Sequence, residues 1–478
     1  MRSRLALARP SGLSRTTTAP AAGGLFFPQS KSLGIDRSHF SPALQSKIVF
    51  AGANNTSYAQ AEQDLRVLAE LEVSDNQVRR VCLAVGAERV AERDQAVSDY
   101  QALPLAQRKG VPVGVTAPAV AVVSVDGGRL QIFERVPKAQ TETPPTATAL
   151  AAVALAAAVA LPEPAAEEIQ DDVAAPEAPP PVKKPLYWRE DKIGLLLTMR
   201  SDVHVADPCP EVPAAFVNPH WIAELAKEMS RRAAAPEPPA TGPPDAEPAS
   251  GTDAWKPEVT AKHLAATRRP WEAFGPMVAA RAWQLGYYGA GRKGFVADGA
   301  DNNWALWRAY FSSFVPILDF IHALTYVFHA ALAGRPAAEG WETYRRWIGW
   351  VWSGTVERTI AELAQRQAEL GVPAADAPAT SPAKVVARAL GYLQNHKERM
   401  RYDEYRRQGL PIVSSYVESA VKQFNYRVKG TEKLWREAGA EPILQLRSDY
   451  LSDGAPLTAF WQRRQASESG QPRRRTAA

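Results

Sequence analysis

Cysteine is almost missing from this chain of 478 residues, which has only Cys82 and Cys209. Two thiols cannot staple a secreted scaffold or build a four-cysteine zinc site, and a reducing compartment is the simple reading. A long apolar run is also missing. The run at residues 147–161 is mostly alanine. It falls short of the ~18–20 residues a bilayer span needs, so no membrane partner is expected. No apolar segment of ~7–15 residues follows the basic start of the chain, which argues against a secretory signal and for a cytoplasmic location. Residues 1–36 carry Arg2, Arg4, Arg9, Arg15 and Lys31 before their first acid, and read as a disordered basic tail. A similar tail is expected over residues 463–478, with Arg463, Arg464 and Arg473 to Arg475.

Proline is in excess, at 39 of 478 residues against a usual share of about 5%. Ten prolines fall in residues 137–185 and seven in 236–257. Both stretches are rich in Ala, Glu and Thr, so residues 137–185 and 233–257 read as flexible inserts. The length suggests about three domains. The net charge of +5 is uneven: residues 397–436 hold ten Lys/Arg against five Asp/Glu. Aromatics interleave that segment at Tyr402, Tyr405, Tyr416, Phe424, Tyr426 and Trp435. A polyanion partner fits this pattern, and so does a solvated helical face.

Residues 37–110 read as a helical module. Thr56 or Ser57 caps a helix with Ala61, Leu65, Leu68 and Leu71 as its stripe. Ser74 stands three residues before Gln77, a capping-box pattern. The helix that follows turns Val78, Val81 and Val85 inward and Arg79 and Arg80 outward. Two helices with a tight turn between them fit a DNA-binding helix-turn-helix, in which Arg79 and Arg80 contact DNA, and also fit a plain helical hairpin.

The run AVAVVSVDGG (residues 119–128) reads as a buried strand ending near Asp126. Gly127-Gly128 permits a tight turn into a returning strand at residues 130–136, with a third strand at 192–199. Further strands are expected at 294–300, before Asp298, and at 314–320, which holds Asp319 ahead of His322, with a helix over 302–310 between them. This alternation points to a mixed α/β sheet. An aspartate before glycine is commonly a turn former. The set raises a second reading: Asp126, Asp298 and Glu418, the last in a helix over 414–428, could converge on divalent cations.

Several segments, taken in order, together resemble one family: VSVDGGR (123–129), YWREDK (187–192), DPCPE (207–211), GFVADGA (294–300), PILDFIHA (316–323) and YVESAVKQFNYRVKGTEKLW (416–435). Over residues 41–461 the chain resembles bacterial transposases of the ISKra4 insertion-sequence family, related to the Mutator-like and IS256 transposases. The resemblance implies an α/β (α+β) fold with an RNase H-like core flanked by helices. The core would comprise residues 111–136, 186–329 and 411–462, interrupted by an all-helical insertion at 330–410. It implies Asp126, Asp298 and Glu418 as the catalytic, metal-holding acids, with Asp301 as rival for the second. Asp319 and His322 match an auxiliary D-x-x-H motif, and a helix-start histidine bonded to Asp319 is the plainer reading. Arg129, Lys422, Arg427, Lys429, Lys433 and Trp435 would face DNA. Two Mg²⁺ ions, with Mn²⁺ as a substitute, would support cleavage of terminal inverted repeats and transfer of the 3′-hydroxyl to target DNA by a homo-oligomer at the nucleoid. An inactive transposase-derived DNA-binding protein and a non-transposing RNase H-like nuclease are the alternatives. The tryptophans Trp341, Trp347, Trp350 and Trp352 are expected in the core of the insertion.

Overall fold

The computed structural model describes residues 40–132, 188–234, 255–430 and 433–468. Residues 137–185 with their alanine-rich run, the basic N-terminal tail, residues 133–136 of the expected returning strand and Arg473 to Arg475 lie outside these. Of the second proline-rich stretch, 235–254 lies outside, while 233–234 close a helix that spans Pro219–Ala234. Among the described residues, no helix is long and apolar enough to cross a membrane.

The chain enters through three helices, Pro42–Asn54, Tyr58–Ala69 and Asp75–Ala102. Ser57 caps the second by accepting from the Gln60 N–H, and both bonds of the Ser74–Gln77 capping box are present. Val78, Val81 and Val85 are buried, with Arg79 and Arg80 on the outer face. Leu68 is 82% exposed, so the stripe of the second helix is narrower than expected.

The third helix is far longer than a recognition helix needs. It lies along the C-terminal helix Glu437–Leu451. Arg89 bonds Asp449 at 2.9 Å and Arg93 pairs with Glu441 at 2.9 Å. Arg463 and Arg464, expected in a loose tail, instead sit in the helix Pro456–Glu468 and pair with Glu92 (2.8 Å) and Glu88 (2.7 Å). The close approach depends on Gly86, where a Cβ would lie 2.6 Å from the Pro442 carbonyl oxygen. Gly86→Ala must push two backbones apart, and a loss of ~1–3 kcal/mol is expected in urea unfolding despite the better helix propensity of alanine.

The sheet has six strands: β1 Val120–Ile132, β2 Trp188–Arg200, β3 Glu258–Thr267, β4 Arg292–Ala297, β5 Val315–Leu318 and β6 Leu434–Trp435. Their order is β3-β2-β1-β4-β5, with β6 added to the far end of β1. β1, β2 and β3 are antiparallel, whereas β4 and β5 run parallel to β1. The result is a mixed α/β sheet flanked by helices.

Two strand expectations change. Gly127-Gly128 is no turn, because β1 runs straight through it to Ile132 and pairs with β2, which begins beyond residue 187. Gly128 is needed for space: a Cβ there would lie 2.8 Å from Asp191 Oδ1 on the paired strand. β3 was not expected. Its sequence, EVTAKHLAAT, has Thr260, Lys262 and His263 interrupting any apolar run.

After β5 come the helices Phe320–Leu332, Ala337–Trp352, Val356–Leu370, Pro382–His396 and Tyr402–Arg407. The helical segment therefore starts at Phe320, and residue 330 lies inside its first helix. Of the four tryptophans expected in the core, Trp347 and Trp352 are fully buried, while Trp341 and Trp350 are half-buried and pack against it. DPCPE fastens this segment to the sheet. Asp207 accepts from Arg406 Nε at 2.9 Å, Cys209 O accepts from Trp352 Nε1 at 2.8 Å, and the Arg406 guanidinium lies 3.9 Å above the Trp352 ring. The helix Ser415–Val428 then crosses β1 and β2.

Candidate active site

Four elements deliver the acids. β1 carries Asp126. β4 runs parallel to it with Ser124 beside Val296, so Asp298, two residues on, comes level with Asp126. Asp319 is the N-cap of Phe320–Leu332, and Glu418 lies in the first turn of Ser415–Val428.

The first, second and fourth of these share one electrostatic field. Burial, then the charges of Asp298 and Glu418, push Asp126 up to about 7 against the pull of the Gly127 N–H and His322. Asp126 Oδ1 accepts from that N–H at 2.7 Å. Asp298 Oδ1 accepts from Ala300 N at 2.9 Å and from the buried Asn303 Nδ2 at 2.7 Å. Asp301 opens the next helix, exposed, and its charge acts on His396 and Arg399 instead. Of the two rivals, it is Asp298 that acts on Asp126.

Asp319 is fully buried. Its Oδ1 accepts from Ser414 N at 3.0 Å, and its Oδ2 from His322 N at 3.3 Å and His322 Nδ1 at 2.5 Å. The expected helix-start bond is thus present, and it assigns the histidine proton to Nδ1. Burial pulls His322 down, but the hydrogen bond and charge of Asp319, with Asp298 and Glu418, outweigh it and lift His322 to about 9. Among the described residues, Asp319, His322 and Glu418 are the group whose ligand atoms all lie within 4.8 Å. Asp298 and Glu418 both act on Asp126, but the three do not form so close a group. The oxygen-rich set suits a hard divalent cation.

Two residues of the wall were not anticipated. Tyr392 and His396 press on Gly299, where a Cβ would meet the Tyr392 ring at 2.3 Å and His396 Nε2 at 3.0 Å. Tyr392 stacks on Tyr326 with centroids 3.8 Å apart, and its buried hydroxyl donates to nothing among the described residues. An aromatic on a helix stripe reads as core, so no sequence signal marked it.

The expected DNA-facing residues divide. Arg79, Arg80 and Arg129 are exposed. Lys422 is exposed and lies 3.8 Å from Glu228. Lys429 is half-buried with its ammonium 5.9 Å from the Trp188 ring. Lys433 donates to Tyr426 O at 2.9 Å, and burial, then Arg427, pushes it down to about 8. Arg427 and Trp435 do not face outward. Arg427 is buried, donates to Gly52 O at 2.9 Å and lies 4.6 Å from the Tyr58 ring, and Trp435 Nε1 donates to Val428 O at 2.8 Å. Tyr402, Tyr405 and Phe424 are buried too, which leaves Tyr416 and Tyr426 as the exposed aromatics of the basic segment.

No family model matches the chain, and no curated protein matches it.

Proposed function

We propose that the chain is a DDE-type DNA transposase of an insertion sequence, with an RNase H-like core. The observation that carries this reading is that the charges of Asp298 and Glu418 both bear on Asp126, on a β3-β2-β1-β4-β5 sheet. An RNase H-like core places its first acid on the first of three antiparallel strands, its second after the fourth strand and its third on a later helix. That order is consistent with the positions found here. The helices between β5 and Ser415 take the place of the insertion such cores often carry.

In the proposed reaction, Asp126 holds the central position, with Asp298 and Glu418 on either side. Two Mg²⁺ ions bound there would activate water or a 3′-hydroxyl and stabilise the leaving oxygen. Asn303 and the Ala300 N–H fix the Asp298 carboxylate, and the Tyr392–His396 wall limits water on that side. Of the residues expected to face DNA, Arg79, Arg80, Arg129 and Lys422 are the exposed ones and would meet backbone phosphates, with Lys422 exchanging Glu228 for them, which makes binding steeply salt-dependent.

The test is in vitro cleavage of the element's own end by purified protein with Mg²⁺. Asp298→Ala and Glu418→Gln should abolish cutting and retain DNA binding, while Asp301→Ala should cut. Cutting by Asp298→Ala together with loss in Asp301→Ala would reverse the assignment of the second acid. Full activity of Asp298→Ala and Glu418→Gln would remove the catalytic reading.

A further inference from the structure

His322 has a place that an oxygen-only magnesium site does not require. A histidine that ligates a metal through one ring nitrogen almost always gives its other N–H to a carboxylate or carbonyl, which fixes tautomer and ring plane. Asp319 makes that bond at Nδ1, at 2.5 Å. Asp319 is itself fixed, fully buried and held by the N–H groups of Ser414 and His322. Nε2 is then the only ring nitrogen left for another partner, and because the metal-free ring holds both its protons near neutral pH, an ion binds there by displacing the Nε2 proton. The ring is close to Glu418, within the 4.8 Å group, and within the field of Asp298. A second observation comes from outside that group. Tyr392, beside Gly299 in the Asp298 loop, has a buried hydroxyl within the field of Asp298 and Asp319 that donates to nothing among the described residues, which leaves a donor for a water or phosphate oxygen held by an ion there.

We propose that His322 Nε2 is a ligand of this cation site, joining Glu418 and the neighbouring aspartates in a mixed nitrogen–oxygen set that takes a first-row transition ion in preference to Mg²⁺. The inference rests on the divalent-cation reading of the same acids. Its physical basis is ligand softness. Mg²⁺ gains little from imidazole and dehydrates reluctantly, whereas Mn²⁺ and later ions accept imidazole and carboxylate together. The Asp319 bond also raises the basicity of the opposite nitrogen, which strengthens that bond for the softer ion.

The experiment uses the full chain without DNA and reads metal binding alone. Mn²⁺ is titrated by electron paramagnetic resonance, Mg²⁺ is measured by competition, and electron spin-echo modulation reports nitrogen coordinated to Mn²⁺. The wild type should show an imidazole-nitrogen coupling and bind Mn²⁺ at least ~10-fold more tightly than Mg²⁺. His322→Gln should lose the coupling and about tenfold of that preference, with Mg²⁺ affinity nearly unchanged. If His322→Gln fails to fold, the wild-type spectrum decides alone. Bound Mn²⁺ without nitrogen coupling overturns the inference and leaves the carboxylate site standing. Absence of any divalent binding overturns both.

Discussion

Asp126→Asn should lose DNA cleavage by on the order of 10³-fold and yet unfold at a higher temperature than the wild type at pH 8. On the proposed function, the loss reflects the removal of the central anionic ligand, where ~4 kcal/mol of transition-state stabilisation corresponds to that factor. The gain follows from the fold. Asp126 is pushed from 3.8 to about 7 by burial and by the charges of Asp298 and Glu418. Its proton is held more tightly folded than unfolded, so folding stability falls as pH rises from about 4 through about 7 and stays low above. Asparagine carries no charge to repel. In metal-free protein the variant should be more stable by at least ~1 kcal/mol at pH 8, with the difference closing below about pH 4. Differential scanning calorimetry in chelator at pH 4, 6 and 8 reads the gap. A wild type whose stability is flat over that range, or a variant that melts lower at pH 8, would refute the account.

Arg427→Ala should cost ~3 kcal/mol in urea unfolding, whereas Arg427→Met should cost less than ~1.5. Arg427 is buried, and its electrostatic neighbours are Tyr58 and Cys82, not a carboxylate. It bonds the Gly52 carbonyl and lies between the rings of Tyr58 and Trp435. Truncation leaves a cavity and an orphaned carbonyl. Methionine refills the cavity and removes the cost of burying a cation, so the carbonyl is the main loss. A residue that faces DNA would behave in the opposite way, with both variants near wild-type stability and a shallower salt dependence of binding. That pattern would overturn the buried assignment.

Arg427 also marks the limit of what the sequence could reveal. Its partner, Gly52, is 375 residues away, and no local spacing signals such a contact. By contrast, Ser57, Ser74 and Gln77 act within four residues of themselves, so their caps were legible from residue type alone. The strands β1, β4 and β5 were legible from short apolar runs and β2 from an aliphatic one, but in β3 Thr260, Lys262 and His263 break the run. The Gly-Gly pair in β1 suggested a turn because glycine permits one; the actual constraint, a carboxylate on the neighbouring strand, comes from pairing across residues 133–187. The acids of the site could be named singly, and the D-x-x-H spacing suggested the Asp319–His322 bond. That Tyr392 closes the wall depends on how a distant helix lands on Gly299.

The clasp between the first helices and the C-terminal one also governs the timing of synthesis. Asp449 follows Arg89 by 360 residues. At ~5–20 residues per second, roughly 20–70 s separate them as the chain emerges from the ribosome. Throughout that interval the Gly86 face of the helix Asp75–Ala102 has no Pro442 to cover it. A chain cut short before Glu437 would keep that face bare indefinitely, so truncated products should be held by chaperones or degraded.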